Sequence, residues 1–136
     1  MKKKIIIIGA GIEQLYAYEL AQKNGYYVIA TDNNPNAPSV KYADHFILAS
    51  TRNAQETLYS IKSYCEEYGN IDGVMTIAND VPYTVAFIAN YFNLKGHSVD
   101  SAVLAHDKFL MKKAFRSNGV PCPDFWKIST LDELKI

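Results

Sequence analysis

"IIIIGAGIEQLYAYELAQKNGYYVIATD" (residues 5–32) is the stretch on which the fold turns. Four consecutive isoleucines make a β-branched run without polar alternation, as expected of a strand covered on both faces. Gly9-Ala10-Gly11 follows, and glycine at these two positions lets the chain turn sharply out of the strand. Residues 13–24 then read as a helix, with Tyr16, Ala17, Leu20 and Ala21 on one apolar face and Gly25 just beyond it as the stop. Residues 27–31 form a second strand, and Asp32 stands at its end. Strand, tight turn, helix and strand make one unit of a parallel sheet.

The period of the apolar residues keeps switching along the rest of the chain. Asn33-Asn34-Pro35-Asn36-Ala37-Pro38 is a turn-rich loop that no helix or central strand accepts. Residues 45–49 form a short third strand. Residues 54–68 are the clearest amphipathic helix, with Leu58, Ile61, Cys65 and Tyr68 at helical spacing and Gly69 after the last turn. Residues 73–77 are the fourth strand. A helix over 82–92 carries Val81, Val85, Ile88 and Phe92 along one stripe, with Pro82 suited to its first turn. A short helix near 100–105 and a longer one over 107–118, closed by Gly119, come next. Pro121 and Pro123 enforce an extended path into 125–128, and Thr130 and Glu133 are spaced as a capping box. The expectation is an α/β, three-layer, Rossmann-like domain with a mostly parallel sheet. In such sheets ligands sit beyond the carboxyl ends of the strands, where strand order reverses. That places the candidate site on the loops at 9–14, 32–40 and 78–82.

Bulk properties narrow the partners. A chain of 136 residues fits one domain, and 49% hydrophobic against 21% charged residues is enough to fill a core. Fourteen basic and fourteen acidic side chains cancel, so there is no global field to attract nucleic acid or an anionic membrane. Lys2-Lys3-Lys4 precedes the isoleucines, but the apolar run is too short for a signal segment, and no run approaches the ~20 residues of a membrane helix. Cys65 and Cys122 form no C-x-x-C, and His45, His97 and His106 share no ligand spacing. We expect a cytoplasmic protein with reduced thiols, no metal site, no nucleic-acid partner and no membrane partner.

Gly9 and Gly11 precede a helix whose first N–H groups favour an anion, or they form a tight turn with no ligand. The place of a third glycine holds Gln14, and Glu13 stands where a pyrophosphate would lie and would repel it. The loop therefore suits a small polar molecule that also offers hydroxyls or an amine. Asp32, 23 positions after Gly9, either holds a ligand hydroxyl, as the ribose carboxylate does in dinucleotide-binding domains, or caps the turn that follows. Asn79 and Asp80 either face the same crevice or cap the helix that begins near Pro82. The competing class is the NAD(P)-binding Rossmann domain of an oxidoreductase or redox sensor, supported by Gly9, Gly11 and Asp32.

Three stretches together resemble the N-terminal domain of ATP-grasp ligases. They are residues 5–47, "GNIDGVMTIANDVPYTVAFIANYFNL" (69–94) and "AHDKFLMKKAFRSNGVPCPDF" (105–125). Similar enzymes are biotin carboxylase, the large subunit of carbamoyl phosphate synthetase, and the purine-pathway enzymes acting on glycinamide and aminoimidazole ribonucleotides. The D-x-N-P-x-A-P…Y-A-D run from Asp32 to Asp44 and the D-K-x-x-M-K-x-x-F-x-x-x-G-V-P-x-P run from Asp107 separate this family from the dehydrogenases. The resemblance implies that Gly9, Gly11, Glu13, Gln14 and Asp80 line a cleft for a small-molecule acceptor. Glu13-Gln14-Leu15 is similar to the acidic or amide residue followed by leucine of the ribonucleotide enzymes, with Ile12 inserted. Lys108 matches the basic residue that reaches the ATP phosphates. It also implies that residues 1–120 are the acceptor-side domain and 121–136 the start of an ATP-grasp domain. ATP and Mg2+ then act in the full-length enzyme, through an acyl phosphate that an amine attacks. On this reading the chain is a fragment that is inactive alone and binds neither ATP nor Mg2+ tightly, its partner is the C-terminal ATP-grasp domain, and a homodimer is possible.

Overall fold

The computed structural model describes residues 2–134. Strands β1 (Lys4–Ile8), β2 (Tyr27–Asp32), β3 (His45–Leu48) and β4 (Gly73–Met75) form one sheet in the order β3-β2-β1-β4. Every pairing is parallel, with Ile5 opposite Val28 on one side and Gly73 on the other. The chain steps outward from β1 through β2 to β3, then crosses to the far side of β1. Strand order therefore reverses between β1 and β4, and the loops leaving these two strands flank the crevice.

Alternation along the strands builds two cores. Ile6, Ile8 and Ile29 point to one face, where they join Ile47, Ile61, Tyr64, Val81 and Ile88 from beneath α2 (Ala54–Tyr68) and α3 (Pro82–Tyr91). Ile7, Val28 and Ala30 point to the other face and pack on Ala17, Tyr18 and Ala21 of α1 (Leu15–Lys23). This is the expected three-layer α/β architecture. Because both faces of β1 are covered, Ile6, Ile7 and Ile8 are all fully buried, which is why the run does not alternate.

Two helices bury faces that differ in part from their expected stripes. A 3₁₀ turn (Ile12–Gln14) precedes α1 and sets its phase, so Gln14, Ala17, Tyr18 and Ala21 face the sheet while Tyr16 is 68% exposed and Leu20 is also open to solvent. In α2 the core takes Tyr64, and Tyr68 sits half out, stacked on Tyr64 at 5.0 Å between ring centres. Strand β4 ends at Met75, short of the expected 77, because a side-chain amide replaces the ladder there.

The last described part is helical and then extended. Helices α4 (Val99–His106) and α5 (Lys108–Ser117) follow α3, and Asp107 caps α5 by accepting the N–H groups of Phe109 and Leu110 at 2.8 and 3.0 Å. Those bonds, with Leu110 foremost, hold the Asp107 carboxyl below the usual carboxylate range. The extended segment returns along α5 and sets Phe125 edge-on to Phe109 at 5.5 Å. Thr130 and Glu133 do form a capping box: Glu133 N–H donates to Thr130 Oγ1, and Glu133 Oε2 accepts from the N–H groups of Ser129 and Thr130. The end of the helix it would open lies outside the described residues. No helix among the described residues is long and apolar enough to cross a membrane.

Candidate functional site

The turn leaving β1 is held by the chain itself. Gly9 N–H donates to Thr31 O at 2.7 Å, and Gly9 O accepts the Tyr18 hydroxyl at 2.8 Å. Ala10 N–H donates to Asp32 Oδ2 at 2.8 Å, and Ala10 O accepts Ser39 N–H at 2.9 Å. Gly11 O accepts the Ser39 hydroxyl at 2.9 Å. Asp32 Oδ1 accepts Asn34 N–H at 2.9 Å, so both of its oxygens bind backbone, one capping the next turn and one clasping the glycine loop. Tyr18 is fully buried; burial first, and the nearby Asp32 carboxylate second, push its hydroxyl pKa well up. Ser39 and Tyr18 were not among the expected site residues. Each reads as an ordinary loop or core residue, and only the folded loop shows what its hydroxyl holds.

Gln14 explains the missing third glycine. Its side chain is 2% exposed and lies between the ends of β1 and β4. Nε2 donates to Ile8 O at 3.2 Å and to Thr76 Oγ1 at 3.1 Å, while Oε1 accepts Ile77 N–H at 3.0 Å. The amide thus continues the β1–β4 ladder in the manner of a peptide group. It also lies against Gly9, whose φ is +95°: a Cβ there would come within 2.9 Å of Gln14 Nε2 and 2.8 Å of Asn79 Nδ2. Glycine is required at position 9 by its backbone angle and by these two amides.

Glu13 folds back over Gly11, where a Cβ would meet Glu13 Oε2 at 3.0 Å. A carboxylate therefore stands beside Gly11 at the start of the helix, where N–H groups lack intrahelical partners, and its negative charge opposes a phosphate there. Across the crevice, Ala78 adopts a left-handed backbone (φ +48°), which turns the loop after β4 and brings Asn79 onto Gly9. Neither Asn79 nor Asp80 caps α3: its N-cap is Val81, and no side chain bonds there. The structure so gathers Gly9, Gly11, Glu13, Gln14, Asp32 and Asn79 at one mouth.

Asp80 stands at the rim and is 75% exposed, with its Oδ1 3.8 Å from His106 Nδ1. It shares a cleft of about 310 Å³ with Arg52, Val81, Pro82, Tyr83, Thr84 and His106. Lys108, the first residue of α5, lines a separate groove of about 350 Å³ with Phe109, Lys112, Phe125, Trp126 and Lys127. Among the described residues no group of three or more His, Cys, Asp or Glu could hold a metal ion. Burial pushes the Cys65 thiol pKa up, which keeps it protonated and unreactive.

Residues 5–99 match the family model described as the N-terminal domain of PylC-like proteins. The chain belongs to that family. Solved structures agree with it. Phosphoribosylglycinamide synthetase from Anaerococcus prevotii superposes with a TM-score of 0.81 at 30% identity, over 99% of this chain and 34% of that one. N5-carboxyaminoimidazole ribonucleotide synthetase from Thermotoga maritima gives 0.73 at 27% identity, over 96% of this chain and 35% of that one. L-amino acid ligase from Bacillus licheniformis shares the fold, with a TM-score of 0.79 at 20% identity over 99% of this chain and 35% of that one. No curated protein sequence matches. The domain is thus of the kind found at the N-terminus of ATP-grasp ligases, and it spans about a third of the length of those solved enzymes. The oxidoreductase alternative is not favoured.

Proposed function

We propose that this domain holds the acceptor molecule of an ATP-dependent carboxylate–amine ligase at the mouth of its sheet, and offers ATP a basic contact from α5. The observation that carries the reading is the Glu13 carboxylate lying over Gly11. It puts a negative charge where a dinucleotide would place its pyrophosphate, and it favours a ligand bearing an amine or hydroxyls. Asn79 supplies an amide on the opposite wall. Gly9, Gln14 and Asp32 shape this mouth and hold its walls in place.

The groove at α5 suits the phosphates of ATP. Lys108, Lys112 and Lys127 line it without a carboxylate, and Trp126 adds an exposed aromatic face. Lys108 would hold the phosphates as a point charge, with Lys112 and Lys127 beside it. In ligases of this type ATP supplies the phosphoryl group that activates a carboxylate for attack. Two solved N5-carboxyaminoimidazole synthetases of the same fold are ADP complexes. The residues described here do not fit a magnesium ion, and no step is routed through one. In this reading residues 121–136 lead into the ATP-enclosing part of such an enzyme, and residues 1–136 do not ligate by themselves.

A thermal-shift panel on the 136-residue chain tests the proposal. Small acceptors bearing an amine, such as amino acids or aminated sugar phosphates, should raise the melting temperature, and NAD and NADP should not. Stabilisation by NAD of several degrees, with no response to any acceptor, would overturn it. So would ATP-dependent ligation by this chain alone.

A further inference from the structure

We infer that the cleft between the start of α1 and the loop at 35–42 is a second ligand site, made for a small monocarboxylate with an apolar body. Its lining includes neither Glu13 nor Asn79 and shares no residue with the groove at α5, so the site is separate from both halves of the acceptor reading. The cleft encloses about 480 Å³, within the usual range for small-molecule sites. Ile12 and Leu15 form one wall, and Pro35, Pro38, Val40 and Tyr42 form the other. Ile12, Pro35 and Pro38 are all exposed, which leaves a contiguous apolar rim open to water.

The walls stand in place without a ligand. The two prolines fix their own backbone angles, and the loop bonds to itself at every turn. Asn36 N–H donates to Asn34 Oδ1, Ala37 N–H to Asn34 O, Val40 N–H to Ala37 O and Tyr42 N–H to Ser39 O, each at 3.0 Å. Ser39 is fully buried and ties this wall to the glycine turn, through its N–H to Ala10 O and its hydroxyl to Gly11 O. A cleft already shaped in this way adds little ordering cost to binding.

The same bonds decide the charge of the occupant. The backbone N–H groups of Asn36, Ala37, Val40 and Tyr42 are engaged within the loop, and Pro35 and Pro38 carry none. The wall therefore offers no nest of N–H groups for a phosphate. Charge recognition falls to Lys41, the one charged side chain that lines the cleft. Among the described residues its ammonium has no carboxylate partner, and it lies 5.1 Å over the Tyr42 ring. One ammonium balances one carboxylate. A phosphate dianion would keep an unmatched charge, and Glu13, the residue after Ile12, would oppose it. The apolar walls then take the body of the molecule.

The test is a ¹⁵N-edited NMR titration of the 136-residue chain. The probes are 3-phenylpropionate, 4-methylpentanoate and hexanoate at millimolar concentration, with 3-phenylpropionamide and phenyl phosphate as the neutral and dianionic controls. At least one acid should shift the amide signals of Ile12, Ala37, Val40, Lys41 and Tyr42 and reach saturation. The neutral amide and the phosphate should bind about tenfold more weakly, since each forgoes a matched charge-assisted pair. Lys41→Met should weaken the acid by about the same factor and leave the amide unchanged. Lys41 is exposed, and a dispersed spectrum shows that the variant folds. Equal binding by acid and amide would overturn the inference, as would tighter binding by phenyl phosphate or an acid affinity unmoved by Lys41→Met. Acid-induced shifts confined to Gly11, Glu13 and Asn79, or silence from every acid, would overturn it as well. None of these results decides the acceptor reading, which the thermal-shift panel tests by itself.

Discussion

Replacing Gln14 separates a strut from a ligand contact. In Gln14→Ala the Ile77 N–H loses its acceptor, whereas Ile8 O keeps the Thr76 hydroxyl at 2.8 Å. One orphaned donor in a largely buried setting costs about 1–3 kcal/mol. Removing the amide also empties the space above Gly9, which adds a cavity cost, so the total should be about 2–4 kcal/mol. Domains of this kind are stable by about 5–15 kcal/mol, so the loss is a large share. Urea unfolding followed by far-UV circular dichroism should show the midpoint falling by about 1–2 M. Gln14→Glu sharpens the test, because a carboxylate cannot donate to Ile8 O. Burial would raise the folded pKa of the introduced carboxyl above its unfolded value of about 4.3. That variant should then keep its stability below the unfolded value and lose it as pH rises through the folded one. A Gln14→Ala variant within about 0.5 kcal/mol of the parent, but deaf to acceptors, would refute the strut and make Gln14 a ligand contact.

Four further outcomes follow from the same geometry. Glu13→Ala removes the carboxylate above Gly11, so pyrophosphate should stabilise the variant in a thermal-shift assay and leave the parent unmoved. Asp32→Asn sets an amide N–H₂ against one of two backbone donors, Ala10 or Asn34, and should cost about 1–3 kcal/mol in urea unfolding. Ala78→Gly relieves a left-handed backbone and should gain about 1 kcal/mol or less in the same assay. On the alkaline side, burial and then the neighbouring Tyr27 and Cys65 push Tyr64 up to about 12. Its folded pKa exceeds the unfolded one, so its contribution is intact below the unfolded value of about 10 and is lost toward 12, and tyrosinate absorbance should rise together with unfolding.

The fold was legible because its strongest signals are local. The β-branched run at residues 5–8, the glycine turn and the stops at Gly25 and Gly69 depend on neighbours in sequence, and each appears where expected. The roll of α1 was not legible. Tyr16 and Leu20 have the better hydrophobic credentials, yet the face that turns inward is the one carrying Gln14, since its amide must reach Ile8 O and Ile77 N–H. That requirement is set by Thr76 and Ile77, just past β4 and more than sixty residues away. The same distance hid the partners of Asp32. The turn it caps at Asn34 is a local pattern, but its bond to Ala10 appears only when β2 lies beside β1.

These long-range bonds also account for the kind of ligand the mouth can take. A dinucleotide site needs open N–H groups at the helix start and a free carboxylate at the end of β2. Here the Glu13 carboxylate stands beside the first, and backbone donors engage both oxygens of the second. Gln14 and Asn79 then fill the space above Gly9. Gly9 and the end of β2 are thereby engaged by the chain's own side chains, while a cleft of about 480 Å³ stays open between the start of α1 and the loop at 35–42, and Asp80 stays accessible on the β1–β4 side. At the start of α1 these differences come down to two residues, the acid at position 13 beside Gly11 and the amide at position 14 against Gly9.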